Sequence, residues 1–116
     1  MNVVQKLKKV NEDSYQMAES YYSLISSLNN LKLTQREIQL VAHTAIHGNI
    51  SYAQVKEELC SRHETSIQTI NNIISRLKKI NVLVKDNGKV RVHPALAIKF
   101  DNDVVLQIFL LYGQAH

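Results

Sequence analysis

The chain has 116 residues, 45% of them hydrophobic and 21% charged, with three glycines, one proline, no tryptophan and a formal net charge of +4. This is the length of one ordinary domain, too short for two and too apolar for a disordered chain, and scarce glycine and proline favour helices. The lone Cys60 excludes an internal disulfide and points to a reducing compartment, so the cytoplasm of a bacterial or host cell is the expected location.

The first ten residues, MNVVQKLKKV, carry too much charge for a signal peptide. The longest apolar stretch, Val104 to Tyr112 interrupted by Gln107, is about half of what a membrane span requires, so no membrane association is expected. Residues 2 to 30 read as a helix. Ala18, Tyr21, Ile25 and Leu28 follow a 3-4-3 spacing that extends back through Ser14, Asn11, Leu7 and Val4, a heptad seam with two polar seats. Tyr15 and Tyr22 widen its apolar stripe. Asn29-Asn30 then punctuates the chain.

"LTQREIQLVAHTAIHG" opens with a capping box, Thr34 with Glu37, and closes on Gly48, which suits the position just past a helix end. Ile38, Val41, Ala42 and Ala45 form its inward stripe. Ser51, with Gln54 three residues on, is expected to start a shorter helix with Val55 and Leu59 inward. A connection, "CSRHE", leads to Thr65, which has Gln68 at the same spacing and is expected to open a third helix reaching about Ile80.

At 100° per residue, that third helix gathers Ile67, Ile70, Ile74 and Leu77 on one side, with Ile73 and Ile80 flanking. Its other side presents Gln68, Asn72, Ser75 and Lys79, flanked by Asn71 and Arg76. Asparagine is a poor helix former, and a solvent face free of other duties more often carries Glu, Lys or Ala. Amide side chains both donate and accept hydrogen bonds, so Gln68, Asn71 and Asn72 match adenine edges in a major groove. Arg76 suits guanine or a phosphate, and Ser75 completes the expected base-reading set. Thr65, Ser66 and Lys79 are expected on the DNA backbone.

"VLVKDNGKVRV" centres on Asn87-Gly88, the strongest two-residue signal for a type I′ hairpin. Val90 and Val92 alternate with Lys89 and Arg91, giving one apolar and one basic face, and Lys85 lies near the turn on the partner strand. Lys85, Lys89 and Arg91, taken to share the polar face, are the expected phosphate contacts. Residues 66 to 93 hold six Lys or Arg against the single acid Asp86, a local charge of +5, which leaves about −1 for the rest. A basic patch on a near-neutral body is the electrostatic footprint of a polyanion binder.

Two helices, a polar-faced third helix and a basic hairpin, from Leu33 to about Val92, resemble winged helix-turn-helix DNA-binding domains, as in MarR-like regulators and plasmid or phage replication initiators. The resemblance is architectural and covers about half the chain. "RLKKINVLVKDNGKVRV" resembles the helix-end and wing pattern at Leu77, Leu83 and Val84. "VHPAL" is similar to the wing exit of some initiators, although His93 stands where Asn commonly precedes the proline. "LTQREIQLV" also resembles the opening of the LuxR-type helix-turn-helix, a family without a wing. The implied fold class is mainly α with a small β-hairpin: a winged helix-turn-helix over residues 31 to 93, an N-terminal helix (1 to 30) and a C-terminal apolar segment (94 to 116).

Little points to catalysis, cofactors or a bound metal. His43 and His47 have the i, i+4 spacing of a zinc helix, but Thr44 stands where a metalloprotease has its Glu, and no third ligand is evident. Cys60 and His63 alone make no zinc site, and Cys60 reads as a packing residue. There is no phosphate loop, carboxylate pair or nucleophile elbow, so an enzyme is not expected.

The chain's ends read as assembly elements. "ALAIKF" is expected to be extended, and "VVLQIFLLYG", apolar nearly all round, fits either a helix or a strand that is buried in its own core or against a protein partner. Tyr21, Ile25 and Leu28 are the expected contacts of a homodimer suited to palindromic DNA. The combined expectation is a dimeric transcription regulator that binds double-stranded DNA. The alternatives are a replication-initiation or DNA-packaging accessory of a plasmid or phage, or a non-enzymatic interaction subunit.

Overall fold

The computed structural model describes the backbone of residues 3–97 and the side chains of residues 14–97. In chain order come four helices, α1 (Val3–Leu28), α2 (Gln35–His47), α3 (Ala53–His63) and α4 (Ile67–Lys79), and then strands β1 (Leu83–Asp86) and β2 (Lys89–Val92). The fold is mainly helical with a small antiparallel hairpin, as the composition and periodicity predict. Residues 98–116, including the apolar segment expected from 103 to 112, lie outside the described residues, as do the side chains of Val4, Leu7 and Asn11.

α1 packs chiefly on α2. Its buried seam runs through Ala18, Tyr22 and Ser26, which lie one turn apart. Tyr21 and Ile25 are half-buried beside it, while Leu28 is 72% exposed. This corrects the expected seam. On a straight helix Leu28 lies about 120° round from Tyr22, against about 40° for Ala18 and Ser26, so a 3-4-3 frame drifts off the packed side. Ser26 is buried because it turns the chain: the Leu33 N–H donates to its Oγ at 2.9 Å and the Leu31 N–H to its carbonyl at 2.9 Å.

α2 starts and stops as its sequence dictates. Thr34 Oγ1 accepts from the Glu37 N–H at 3.2 Å, and Glu37 Oε1 accepts from the Thr34 N–H at 2.8 Å. Gly48, left-handed at φ 87°, closes the helix by donating to the Thr44 carbonyl. A cap of this type is worth about 1 kcal/mol. Thr44, fully buried, satisfies its hydroxyl on the Leu40 carbonyl at 2.8 Å.

The next two helix starts differ from expectation. α3 begins after Tyr52, which makes no side-chain cap bond. Ser51 is not its cap, because its hydroxyl accepts from the Val90 N–H of β2 at 2.7 Å. α4 is capped by Ser66, whose Oγ accepts from the Thr69 N–H at 3.2 Å, one residue later than the expected Thr65. Thr65 instead finishes α3, donating its N–H to the Cys60 carbonyl at 3.1 Å. α3 runs on to His63 and ends on left-handed Glu64, so only three residues join α3 to α4.

Ile70, Ile74 and Leu77 of α4 meet Val41, Leu59, Leu83 and Val92 in one buried cluster. Each such side chain contributes about 1.5–3 kcal/mol of burial. Ile67, placed inward by its angle, is 40% exposed at the first residue of α4.

The hairpin turns on Asn87 and Gly88 at φ 52° and 78°, as a type I′ turn requires. Leu83 pairs with Val92, Val84 with Arg91, Lys85 with Val90 and Asp86 with Lys89. The segment between α2 and α3 lies along β2, with the Ile50 N–H donating to the Val90 carbonyl at 2.9 Å. Beyond β2, residues 94–96 form a turn where the extended run was expected to begin, and residues 98–100 of that run lie outside the described residues; the Leu96 carbonyl accepts from the Tyr22 hydroxyl at 2.9 Å.

Candidate nucleic-acid interface

The outer face of α4 is positioned from within. Because Ile70, Ile74 and Leu77 are buried, Gln68, Asn71, Asn72, Ser75, Arg76 and Lys79 all face solvent. Among the described residues, Gln68, Asn72, Ser75 and Lys79 make no hydrogen bond or ion pair through their side chains. Asn71 differs, since its Oδ1 accepts from Lys56 Nζ of α3 at 3.0 Å. That contact brings a cation from α3 to the edge of the face. Sequence reasoning passed over Lys56, because nothing in the local pattern of α3 marks it.

Arg76, expected to read bases, is committed internally. Its guanidinium pairs with Oε2 of Glu37, the carboxylate whose other oxygen serves the α2 cap. Glu37 is 4% exposed, so its charge is held away from water and needs this partner. The pair ties the start of α2 to the last turns of α4 and fixes how α4 presents its outer face. Ser66 is likewise occupied, its Oγ also donating to Thr69 Oγ1 at 3.0 Å.

The hairpin departs directly from α4. The Val82 N–H donates to the Leu77 carbonyl at 3.0 Å, and left-handed Asn81 makes the bend. Directly opposed residues share a face, so Lys89, Arg91, Val84 and Asp86 lie on one side and Leu83, Lys85, Val90 and Val92 on the other. Lys85 therefore does not share the basic face, which corrects the expectation. It is exposed because the tip of the hairpin reaches past the core. Arg91 Nη1 lies 3.6 Å from Asp86 Oδ2, and its Nε donor is buried without an acceptor among the described residues. Lys89 Nζ lies 5.4 Å from the centre of the Tyr52 ring. Among the described residues Lys78, Lys79, Lys85 and Lys89 have no carboxylate partner, so the positive potential of this side is not neutralised locally.

A second polar group lies under α1. Tyr15 Oη is 2.9 Å from His43 Nδ1 and 3.0 Å from His47 Nε2. His43 Nε2 is 2.8 Å from the Val55 carbonyl, and Glu58 Oε2 of α3 is 3.2 Å from His47 Nε2. Burial pushes the His43 imidazole down to about 4, helped by the nearby His47, Arg62 and His63 and opposed by its bond to Val55. His63 is also held below its ordinary value by burial and by Arg62 and Arg36. The histidine spacing was legible in the sequence, whereas Tyr15 and Glu58 were not part of that reading.

In comparisons with known proteins, no family model, no curated protein and no solved structure matches this chain. No helix among the described residues is long and apolar enough to cross a membrane.

Proposed function

We propose that the chain is a winged helix-turn-helix protein that binds double-stranded DNA and acts as a transcription regulator. In this reading α2, α3 and α4 are the three helices, α4 is the recognition helix, and β1 and β2 form the wing. Gln68, Asn72 and Ser75 read base edges in the major groove, while Asn71 and Lys56 work as a pair at its rim. Lys79, Lys85 and Lys89 meet phosphates. Arg76 positions the helix through Glu37. Leu28, with Leu24 beside it at 41% exposed, offers the outer edge of α1 to a second copy of the chain.

Among the described residues, the side chains of Gln68, Asn72 and Ser75 on α4 are unpartnered and the lysines of the adjoining hairpin have no carboxylate partner, and this observation carries the reading. Exposed polar side chains with poor helix propensity lower stability slightly, and recognition of bases accounts for them. The exposed Ile67 and Ile80, at 40% and 37%, are what a protein-interaction subunit would use instead.

Fluorescence anisotropy of a labelled random-sequence duplex separates the two readings. Affinity should fall steeply between roughly 50 and 200 mM salt as bound counterions are released. Failure to bind duplex at the lowest salt would favour the interaction subunit.

A further inference from the structure

The polar group beneath α1 has the donors and the spacing of a transition-metal site. We propose that His43, His47 and Glu58 bind one zinc-class divalent ion, in a site lined by the Tyr15 hydroxyl. The reading is independent of DNA binding.

Three features of the geometry support it. First, the side chains come from two helices and converge: one ligand atom from each of His43, His47 and Glu58 lies within 4.8 Å of the others. A tetrahedral ion with bonds of about 2.0–2.1 Å holds its donors roughly 3.3 Å apart. His47 Nε2 and Glu58 Oε2 are already at 3.2 Å. The Glu58 side chain is 58% exposed, so its carboxylate is free to swing the remaining distance.

Second, the orientation of His43 is fixed by a partner outside the cluster. A carbonyl only accepts, so the 2.8 Å contact with Val55 places the proton on Nε2. The neutral ring then leaves the lone pair of Nδ1 on the side of the Tyr15 hydroxyl, which lies 2.9 Å from it and 3.0 Å from His47 Nε2. A backbone carbonyl holding the far nitrogen of an imidazole is the usual support of a metal-ligating histidine. His43 is 1% exposed, so this orientation is set by packing as well as by the hydrogen bond.

Third, the donor set selects the ion. Two imidazole nitrogens and one carboxylate suit zinc, cobalt or nickel, whereas magnesium and calcium prefer all-oxygen shells. Binding requires the lone pair of His47 Nε2, so that ring carries its proton on Nδ1 in the bound form, and the Tyr15 O–H turns away from His43 Nδ1. The unfavourable feature is Arg62, whose guanidinium lies 3.7 Å from the centre of the Tyr15 ring. Its positive charge lowers the affinity for any cation without altering the donors. A bound ion would cross-link α2 to α3, which otherwise share few contacts.

The test is calorimetric titration of the chelator-stripped full chain with zinc chloride, and with magnesium chloride as the control. The expected result is one zinc per chain, a melting temperature raised by zinc and unmoved by magnesium, and a cobalt spectrum without a thiolate charge-transfer band. Glu58→Gln and His47→Gln should each weaken zinc binding by more than about ten-fold, since even loss of a supporting partner typically costs about 10–100-fold. The Glu58 side chain is 58% exposed, so its variant should leave circular dichroism unchanged, and the same measurement on His47→Gln checks that the fold is kept. No stoichiometric zinc binding overturns the proposal. So does unchanged affinity in the two variants, or a thiolate band that places the ion on Cys60.

Discussion

Two sets of polar side chains on neighbouring helices behave in opposite ways. On α2, Glu37, His43 and Thr44 are buried, and each has a partner inside the chain: the α2 cap and Arg76, the Val55 carbonyl and Tyr15, and the Leu40 carbonyl. On α4, Gln68, Asn72 and Ser75 are exposed and make no such bonds among the described residues. The partners of the first set follow from its burial, because a buried polar group without a partner costs about 1–3 kcal/mol. The second set gains nothing from folding. Arg76 stands between them, on the outer face of α4 but bound to the inner carboxylate of Glu37.

The largest effect should come from the lysine-bearing rim. Replacing Lys79, Lys85 and Lys89 together by alanine should weaken binding to all duplexes alike and flatten the salt dependence by close to three counterions, at about 0.9 per lost phosphate contact. Adding Arg91→Ala should change the slope little, because that guanidinium already faces Asp86. Anisotropy titrations at several salt concentrations measure both, and an unchanged slope in the triple variant would take the hairpin out of the interface.

Arg76→Ala probes the boundary between the two sets. It leaves the Glu37 carboxylate buried without its cation, so urea unfolding should show a loss of about 1–3 kcal/mol. Asn72→Ala should leave stability unchanged or slightly higher, since alanine is the better helix former. If the two variants were equally stable, the internal role given to Arg76 would be wrong.

The smallest expected effect on the fold is at α1. Leu28→Glu, at a position 72% exposed, should change stability by less than about 0.5 kcal/mol. It should nevertheless convert a dimer to a monomer in light scattering and weaken binding to palindromic DNA. Charging Tyr21 is a poorer probe, because it packs against its own chain's core. Wild-type protein that scatters as a monomer at high concentration would remove the dimer from the account.

What was legible in the sequence follows the range of the interactions. The capping box at Thr34 and Glu37, the Gly48 stop and the Asn87-Gly88 turn each depend on residues a few positions apart, and each stands where its pattern places it. The buried face of α4 was legible from the spacing of Ile70, Ile74 and Leu77. Ser51 and Gln54 also match a capping pattern, but the Ser51 hydroxyl serves Val90, 39 positions away, and no local rule anticipates that. The Glu37–Arg76 pair spans the same separation. The left-handed Glu64, which carries α3 past the expected connection, lacks the glycine or asparagine that would mark it. The face of Lys85 follows from the same turn, since Asn87 and Gly88 as its two central residues set Lys85 opposite Val90 and so on the apolar side.

The central claim is that the outer face of α4 reads bases while the hairpin holds the backbone. Selection of bound fragments from a pool of random duplexes, run in parallel with wild type and Asn72→Ala, tests it most directly. The wild type should enrich a defined motif. The variant should enrich the same motif with preference relaxed at one adenine position, losing about 1–3 kcal/mol on the wild-type site and little on unrelated duplexes. A wild type that enriches no motif, or a variant that keeps the full preference, would contradict it.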